Sequence, residues 1–598
     1  MKKTIIILSL SLALLLTGCG ATEPFPTDGS TEPATSGSTP VEYAPIDVTS
    51  LFSDRDYETD YKNAAPITLQ DTTASGSGVS IHGSTVTITQ EGTYLLSGSL
   101  TDGMIIVDTD SETKVQLILD GASIHSETSA PIYIKQADKV FITLAEGSTN
   151  SLSCGESYTA IDDNNIDAAI FSKDDLTLNG TGALMISSPA GHGIVSKDDL
   201  RITGGSYDIT AAGHGLAGKD AVSIAAGSFI IQCGKDGIHG ENDEDATLGS
   251  VYIGGGSFDI TAEGDGISTG AAMQLAGGEY TLLCGGGSEY GEAHTDDMFG
   301  GGMGGRPGGM GGRGYSSMTP TSTETDTSVS AKGLKSTGTM TILGGSSHIN
   351  SADDAVHSNS DLTVSEGTFQ IATGDDGFHA DDALSIIGGT IVITESYEGL
   401  EGLTIEVSGG DITLKASDDG LNAAGGNDES GFSGMGGRPG GMGGFGGDQF
   451  GSSSDSYIVI SGGQLTVDAD GDGIDSNGDL TFSGGYTVVE GPTNSGNGPL
   501  DYGGSGTLSG GTIIITGSSG MAQSLNSTGS QGVFAINVGN CSAGTLVTIS
   551  DSSGAELVSL TPQKMFGCVI VSTPEIQKGE SYTIDIGTDS GTFEAQSA

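Results

Sequence analysis

The sequence predicts an all-β fold, a solenoid of short coils stacked as a parallel β-helix, on three observations. Self-similarity recurs about every 22 residues, each unit carries two short period-two segments joined by a glycine pair, and nothing beyond the N-terminal apolar run shows a helical period. "AGHGIVSKDDLRITGGSYDITA" (190–211) runs straight into "AGHGLAGKDAVSIAAGSFIIQC" (212–233), and Gly193, Gly215 and Gly237 are each 22 apart. Gly377, Gly399 and Gly420 continue the period at 22 and 21. Alternation such as Tyr207, Ile209 and Ala211 against Asp208 and Thr210 marks a strand with one buried face. One coil cannot bury its own apolar face, so stacking must supply the core. Ile194, Leu216, Ile238, Ile267, Val356, Phe378, Leu400, Leu421 and Ile474 are expected to form one internal column. A β-sandwich is the weaker reading, because hairpins need no fixed period.

Taken in chain order, residues 1–19 read as a lipoprotein signal: a basic start (Lys2, Lys3), an apolar run, and Leu16-Thr17-Gly18-Cys19, with Cys19 as the lipidated residue. Residues 20–45 are a Pro/Ser/Thr/Gly tether of disordered composition. The β-helix is expected over 46–525, interrupted by Gly/Met-rich insertions at about 285–325 and 425–455. Both insertions contain "GMGGRPGGMGG" (302–312 and 434–444), read as flexible excursions, with a methionine soft-metal site as the alternative. Residues 526–598 form a β-rich C-terminal segment. Cys233 and Cys284, on the same inward parity with one coil between them, read as buried thiols. Cys541 and Cys568 are either bridged or free.

With 77 acidic against 20 basic residues and a net charge of −57, the chain is no nucleic-acid binder, and a membrane enters only through the lipid anchor. The period turns the acids into columns. The residue before the marker position is His192, His214, Asp236, Asp265, Asp354, Asp376, Glu398, Asp419 and Asp472, often with a second acid before it, as in Asp353, Asp375 and Asp418. Carboxylates on adjacent coils would sit roughly 4.8 Å apart, each contact costing on the order of 3 kcal/mol at an effective dielectric of 20. Raised pKa values or bound cations relieve this. Calcium, whose opposed oxygen ligands lie roughly 4.6 to 5.2 Å apart, suits the spacing better than magnesium; solvated turn aspartates are the plain alternative.

The stretch "DADGDGIDSNGD" (468–479) adds Asp468, Asp470 and Asp475 to the calcium candidates. It places acids as an EF-hand loop does, but between strands, so it reads as one more acidic corner. Lys173, Lys197 and Lys219 form a basic column, either paired with aspartates or, for Lys197 and Lys219, supplying the base of a lyase. His357 and His379 are expected to face outward, and Lys332 and Lys335 to lie outside the columns.

From about Val79 to Gly511, "EGTYLLSGSLTDGMIIVDTD", "VQLILDGASI", "AAIFSKDDLTLNGTG", "HGIVSKDDLRITGG" and the Asp-Gly-apolar corners resemble the clostridial cellulose- and pectin-binding β-helix family, exported proteins with a pectate-lyase-like fold. The resemblance implies a right-handed parallel β-helix, several calcium ions between coils, and binding of cellulose or acidic plant polysaccharide at the cell surface, without established lyase activity. His192 and His214 depart from the acidic pattern, which puts calcium in doubt there. No tryptophan is available to stack on neutral sugars, although tyrosines can substitute. The expected function is calcium-dependent carbohydrate binding. A calcium-dependent polysaccharide lyase and a non-catalytic adhesin or spacer are the rivals.

Overall fold

The computed structural model describes residues 46–291, 330–424 and 455–595. Cys19, the 20–45 tether and both GMGGRPGGMGG segments lie outside the described residues. The described chain is all-β, its helical pieces being the short 3-10 turns Asp54–Tyr57 and Ser288–Tyr290.

Each repeat contributes up to three strands, and each strand pairs in parallel with its equivalent in the next repeat. The first ladder runs His192–Ser196, Leu216–Gly218, Ile238–Gly240, Ile267–Thr269, Leu334–Ser336, Val356–Ser358, Phe378–Ile386, Leu400–Val407, Leu421–Ala423, Ile474–Ser476. Its register aligns Ile194 with Leu216 and on to Ile474, the apolar column the period predicts, with Leu334 as a further member. All are fully buried. A second ladder includes Asp199–Ile202, Ala221–Ile224 and Ser250–Ile253, and a third Ser206–Ala211, Ser228–Cys233, Ser257–Ala262 and Glu279–Cys284; they continue upstream through Asp175–Gly180 and Ala183–Ser188 respectively.

Inside the third ladder Tyr207, Phe229, Phe258 and Tyr280 stack with ring centroids 5.0, 4.9 and 5.1 Å apart, close to the spacing of paired strands. Cys233 and Cys284 stand on the same inward row with Ala262 between them, and both are free and buried. Cys541 and Cys568 are also free: Cys541 stands opposite Phe566, and Cys568 opposite Asn537.

The marker glycine has a steric cause. A Cβ on Gly377 would sit 2.6 Å from the carbonyl oxygen of Gly399 on the next coil, so a side chain would push the coils apart. The second glycine of each corner differs: Gly389 has φ 96°, a left-handed conformation that costs other residues free energy.

Both ends depart from the repeat. Residues 46–64 lie outside the coils. Their 3-10 turn lies across the outer face of Lys139–Leu144, Asp175–Gly180 and Asp199–Ile202, where buried Asp56 meets Lys139 Nζ at 2.7 Å and accepts from Thr177 Oγ1 at 2.6 Å. Arg201 Nε donates to the Leu51 carbonyl at 2.8 Å. At the far end Thr512–Gly517 pairs in parallel with Tyr486–Glu490 but antiparallel with Phe566–Ser572. Beyond it stands a separate antiparallel sheet of Glu556–Leu560, Val547–Ser550, Ser581–Ile586 and Asp589–Glu594, with its own apolar cluster around Phe534, Phe566 and Tyr582.

Candidate functional site

The register defines two columns flanking the buried apolar one. Two places before it stand His192, His214, Asp236, Asp265, Lys332, Asp354, Asp376, Glu398, Asp419 and Asp472; one place after it stand Val195, Ala217, His239, Ser268, Lys335, His357, His379, Glu401, Asn422 and Asp475. Lys332 and Lys335 therefore belong to the columns, contrary to the sequence expectation. The signal was present: Gly333 in "AKGLKS" keeps the period, and Lys332 stands where its neighbours carry acids.

Most members of the first column share a task that their residue types explain. The backbone N–H of the next coil needs an acceptor at this corner, and the side chain below supplies it. His214 N–H donates to His192 Nδ1 (2.8 Å), Asp236 N–H to His214 Nδ1 (3.2 Å), Asp265 N–H to Asp236 Oδ1 (2.9 Å) and Lys332 N–H to Asp265 Oδ1 (2.8 Å). Asp376 N–H donates to Asp354 Oδ1 (3.0 Å), Glu398 N–H to Asp376 Oδ1 (3.2 Å), Asp472 N–H to Asp419 Oδ1 and Gly498 N–H to Asp472 Oδ1. Lysine has no acceptor, and at that step the Asp354 N–H turns to Asp353 Oδ1 instead, at 3.0 Å.

On the aspartate coils so described, one carboxylate oxygen is committed to the backbone; the second is met differently along the axis. In the middle coils the protein supplies lysine ammonium groups and histidine rings. Asp236 Oδ2 meets His239 Nδ1 at 2.8 Å, and Asp265 meets Lys335 at 3.7 Å. Fully buried Lys332 reaches Asp353 at 2.8 Å and Asp354 at 2.7 Å, and His357 meets Asp354 at 2.7 Å. His379 holds Asp376 at 3.2 Å and Asp381 at 3.1 Å and also contacts Glu401. Burial disfavours the His379 charge, but these three acids outweigh it and hold its pKa well above the usual imidazole range. His357 and His379 are fully buried rather than outward. Strand parity tells which side a residue takes, not what covers that side.

Asp375 lies with Asp353 and Asp354 in one cluster of carboxylate oxygens. Asp468 and Asp470 are both taken by Lys564 of the C-terminal segment, at 2.9 and 2.8 Å. That pairing had no sequence signal, since Lys564 lies about a hundred residues away. Asp479, the last acid of the EF-hand-like stretch, accepts the Ser505 N–H at 2.8 Å. The stretch is therefore spread over separate partners rather than wrapped around one centre.

The last coils are different. Among the described residues no lysine, arginine or histidine pairs with Glu398, Asp418, Asp419, Asp472 or Asp475. Burial first, then neighbouring acids, pushes Asp475 up to about 7. Burial and Asp501 push Asp472 up to about 6 against its Gly498 N–H bond. Glu398 and Asp419 rise well above the ordinary range for the same two reasons. Glu398 Oε2 and Asn422 Oδ1 are buried without a hydrogen-bond partner. A hard, oxygen-seeking cation such as calcium fits this donor set. It does not fit where Lys332, Lys564 and His239 already supply positive charge.

At the other end of the face a groove of about 470 Å³ is lined by His192, His214 and His239, by Lys197, Lys219 and Lys235, and by Glu241 and Asp243 at one side. His192 stacks on His214 (centroids 5.0 Å) and His214 on His239 (4.1 Å). Lys197 Nζ lies 5.7 Å from the centre of the Phe171 ring. Lys219 pairs with Glu244 at 2.7 Å, and that bond raises its pKa. The structure brings Lys197 and Lys219 together, adds Lys235 and His239, and keeps all of them several coils from the orphaned oxygens of Glu398 and Asn422.

A stack of parallel strands with one long polar face defines a repeat protein with an extended surface. Residues 82–377, which include the groove, match the family described as carbohydrate-binding domain-containing protein. The chain is 37% identical over 212 residues to a carbohydrate-binding domain-containing protein of Acetivibrio thermocellus, covering 35% of this chain and 65% of that relative's length. A solved structure titled as the polysaccharide lyase-like protein from C. thermocellum, a gadolinium derivative, is 38% identical, with the match covering 37% of this chain and 92% of that one at a TM-score of 0.35.

Proposed function

We propose that this chain is a cell-surface, lipid-tethered protein that binds plant-type polysaccharide, cellulose or polygalacturonate, in a calcium-dependent manner, on a right-handed parallel β-helix. The family matched by residues 82–377 supports the carbohydrate. The observation that carries the reading is the groove: three lysines and three histidines gathered on one flank of a chain with net charge −57. Calcium would be held by Glu398, Asp418, Asp419, Asn422, Asp472 and Asp475, where it would neutralise charge that no described side chain neutralises. Retention of the purified protein on pectate and on cellulose, with and without chelator, tests the reading; a protein retained by neither polymer overturns it.

A lyase is the second reading, favoured by the presence of Lys197 and Lys219 in the groove. Lys219 suits a base poorly, because Glu244 stabilises its charged form. Unsaturated product from polygalacturonate, lost in Lys197→Ala, would establish the lyase.

A further inference from the structure

The groove differs chemically from the rest of the face, and the difference specifies how a ligand is held. His192 Nδ1 and His214 Nδ1 each accept a backbone N–H, so in each neutral ring the proton sits on Nε2. Both rings line the groove, and their remaining polar atom is a donor. Lys197, Lys219 and Lys235 add ammonium donors. Some of these groups are already engaged: Glu241 Oε2 is bound to His239 Nε2 at 3.0 Å, the Ser196 hydroxyl donates to the Asp174 carbonyl at 3.1 Å, and Lys219 is paired with Glu244 at 2.7 Å. Asp243 contributes a further carboxylate.

A surface on which three lysines and two Nε2–H donors outnumber the two carboxylates selects an acceptor-rich, negatively charged group. Lys197 and Lys219 follow the paired residues Ser196 and Gly218, so they occupy the same place on adjacent coils, with a rise of roughly 4.8 Å between them. That arrangement suits an extended chain lying along the stack with anions at regular intervals.

We infer that the groove around His192, His214, Lys197, Lys219 and Lys235 is an anion subsite that binds the carboxylate or sulfate-ester groups of an acidic polysaccharide directly, with no metal ion between. The inference rests on the carbohydrate-binding reading and departs from its calcium dependence at this groove, leaving that dependence to the Glu398-to-Asp475 face alone. The Glu398-to-Asp475 face could meet such a chain only through a cation, whereas this groove needs none.

The test is isothermal titration of the full chain, in chelator and again with calcium, with three probes: tetragalacturonate, a sulfated oligosaccharide and cellotetraose. The expected result is binding of at least one charged probe in chelator. It should weaken by about tenfold or more in the Lys197→Ala, Lys219→Ala, Lys235→Ala triple variant, the cost of losing charge-assisted contacts, and melting of that variant should match the parent. Response to tetragalacturonate alone assigns carboxylate, and response to the sulfated probe alone assigns sulfate ester; either supports the inference. Charged probes that bind only with calcium, or equally well to the triple variant, overturn it. If the parent is retained on cellulose while both charged titrations are blank, the inference fails and the carbohydrate reading stands. If no polymer and no probe binds, both fail.

Discussion

Replacing Lys332 by methionine removes one positive charge from the centre of the acidic column while keeping an apolar stem of similar length. Lys332 and Asp354 are both fully buried, and the ammonium meets two carboxylates at 2.8 and 2.7 Å. Removing one partner of a buried pair costs about 3 to 5 kcal/mol, because the remaining charge is left uncompensated. At about 2 cal/mol/K of unfolding entropy per residue over several hundred residues, that is a fall in melting temperature of about 3 to 5 °C. Scanning calorimetry in chelator at neutral pH measures it. Asp353, Asp354 and Asp375 bring one oxygen each within 4.8 Å of one another, so calcium should restore part of the loss in the variant by entering the space the ammonium leaves. A variant that melts like the parent in chelator would refute the argument that this lysine neutralises the column. One destabilised in chelator but indifferent to calcium would refute the equivalence of lysine and metal.

Three other outcomes follow from the same geometry. Asp475→Asn removes a charge from the unneutralised end, so above pH 7 it should melt higher than the parent in chelator and gain less from calcium, by mass action at a weakened site. Burial opposes the Asp56 charge, but Lys139, Thr177 and Ser53 outweigh it and hold its pKa at about 2. A lowered carboxylate pKa stabilises above the unfolded value near 3.8, and that stability is lost as pH falls from about 4 to 2. Asp56→Asn should therefore lose about 2 kcal/mol at neutral pH and show a flatter stability profile between pH 4 and 2. Cys19→Ser should move the protein from the membrane fraction to the soluble fraction in the producing cell; unchanged partition would count against the lipid anchor.

The internal column was legible because glycine spacing fixes register, and register fixes which residues stack: Ile194 to Ile474 follow from counting. The acid column was legible as a position but not as a job. The period could not say that each Asp or His accepts the next coil's N–H, since that depends on the corner's backbone path. Nor could parity show that His379 is covered, or that Lys564 returns from the C-terminal segment to Asp468. Such partners are long-range and leave no periodic trace. Lys332 could have been found by letting the column include any residue type instead of acids alone.

The antiparallel pairing of Phe566–Ser572 on Thr512–Gly517 also bears on how these molecules behave in a crowd. A parallel stack offers at its last coil the same unpaired N–H and C=O groups that every coil offers the next, so an open end is a template on which another copy can add and grow a fibre. Reversing the strand direction at that edge presents a mismatched pattern, and the separate antiparallel sheet stands beyond it. Removing residues 526–598 would leave the last coil's backbone groups unpaired and open to another chain.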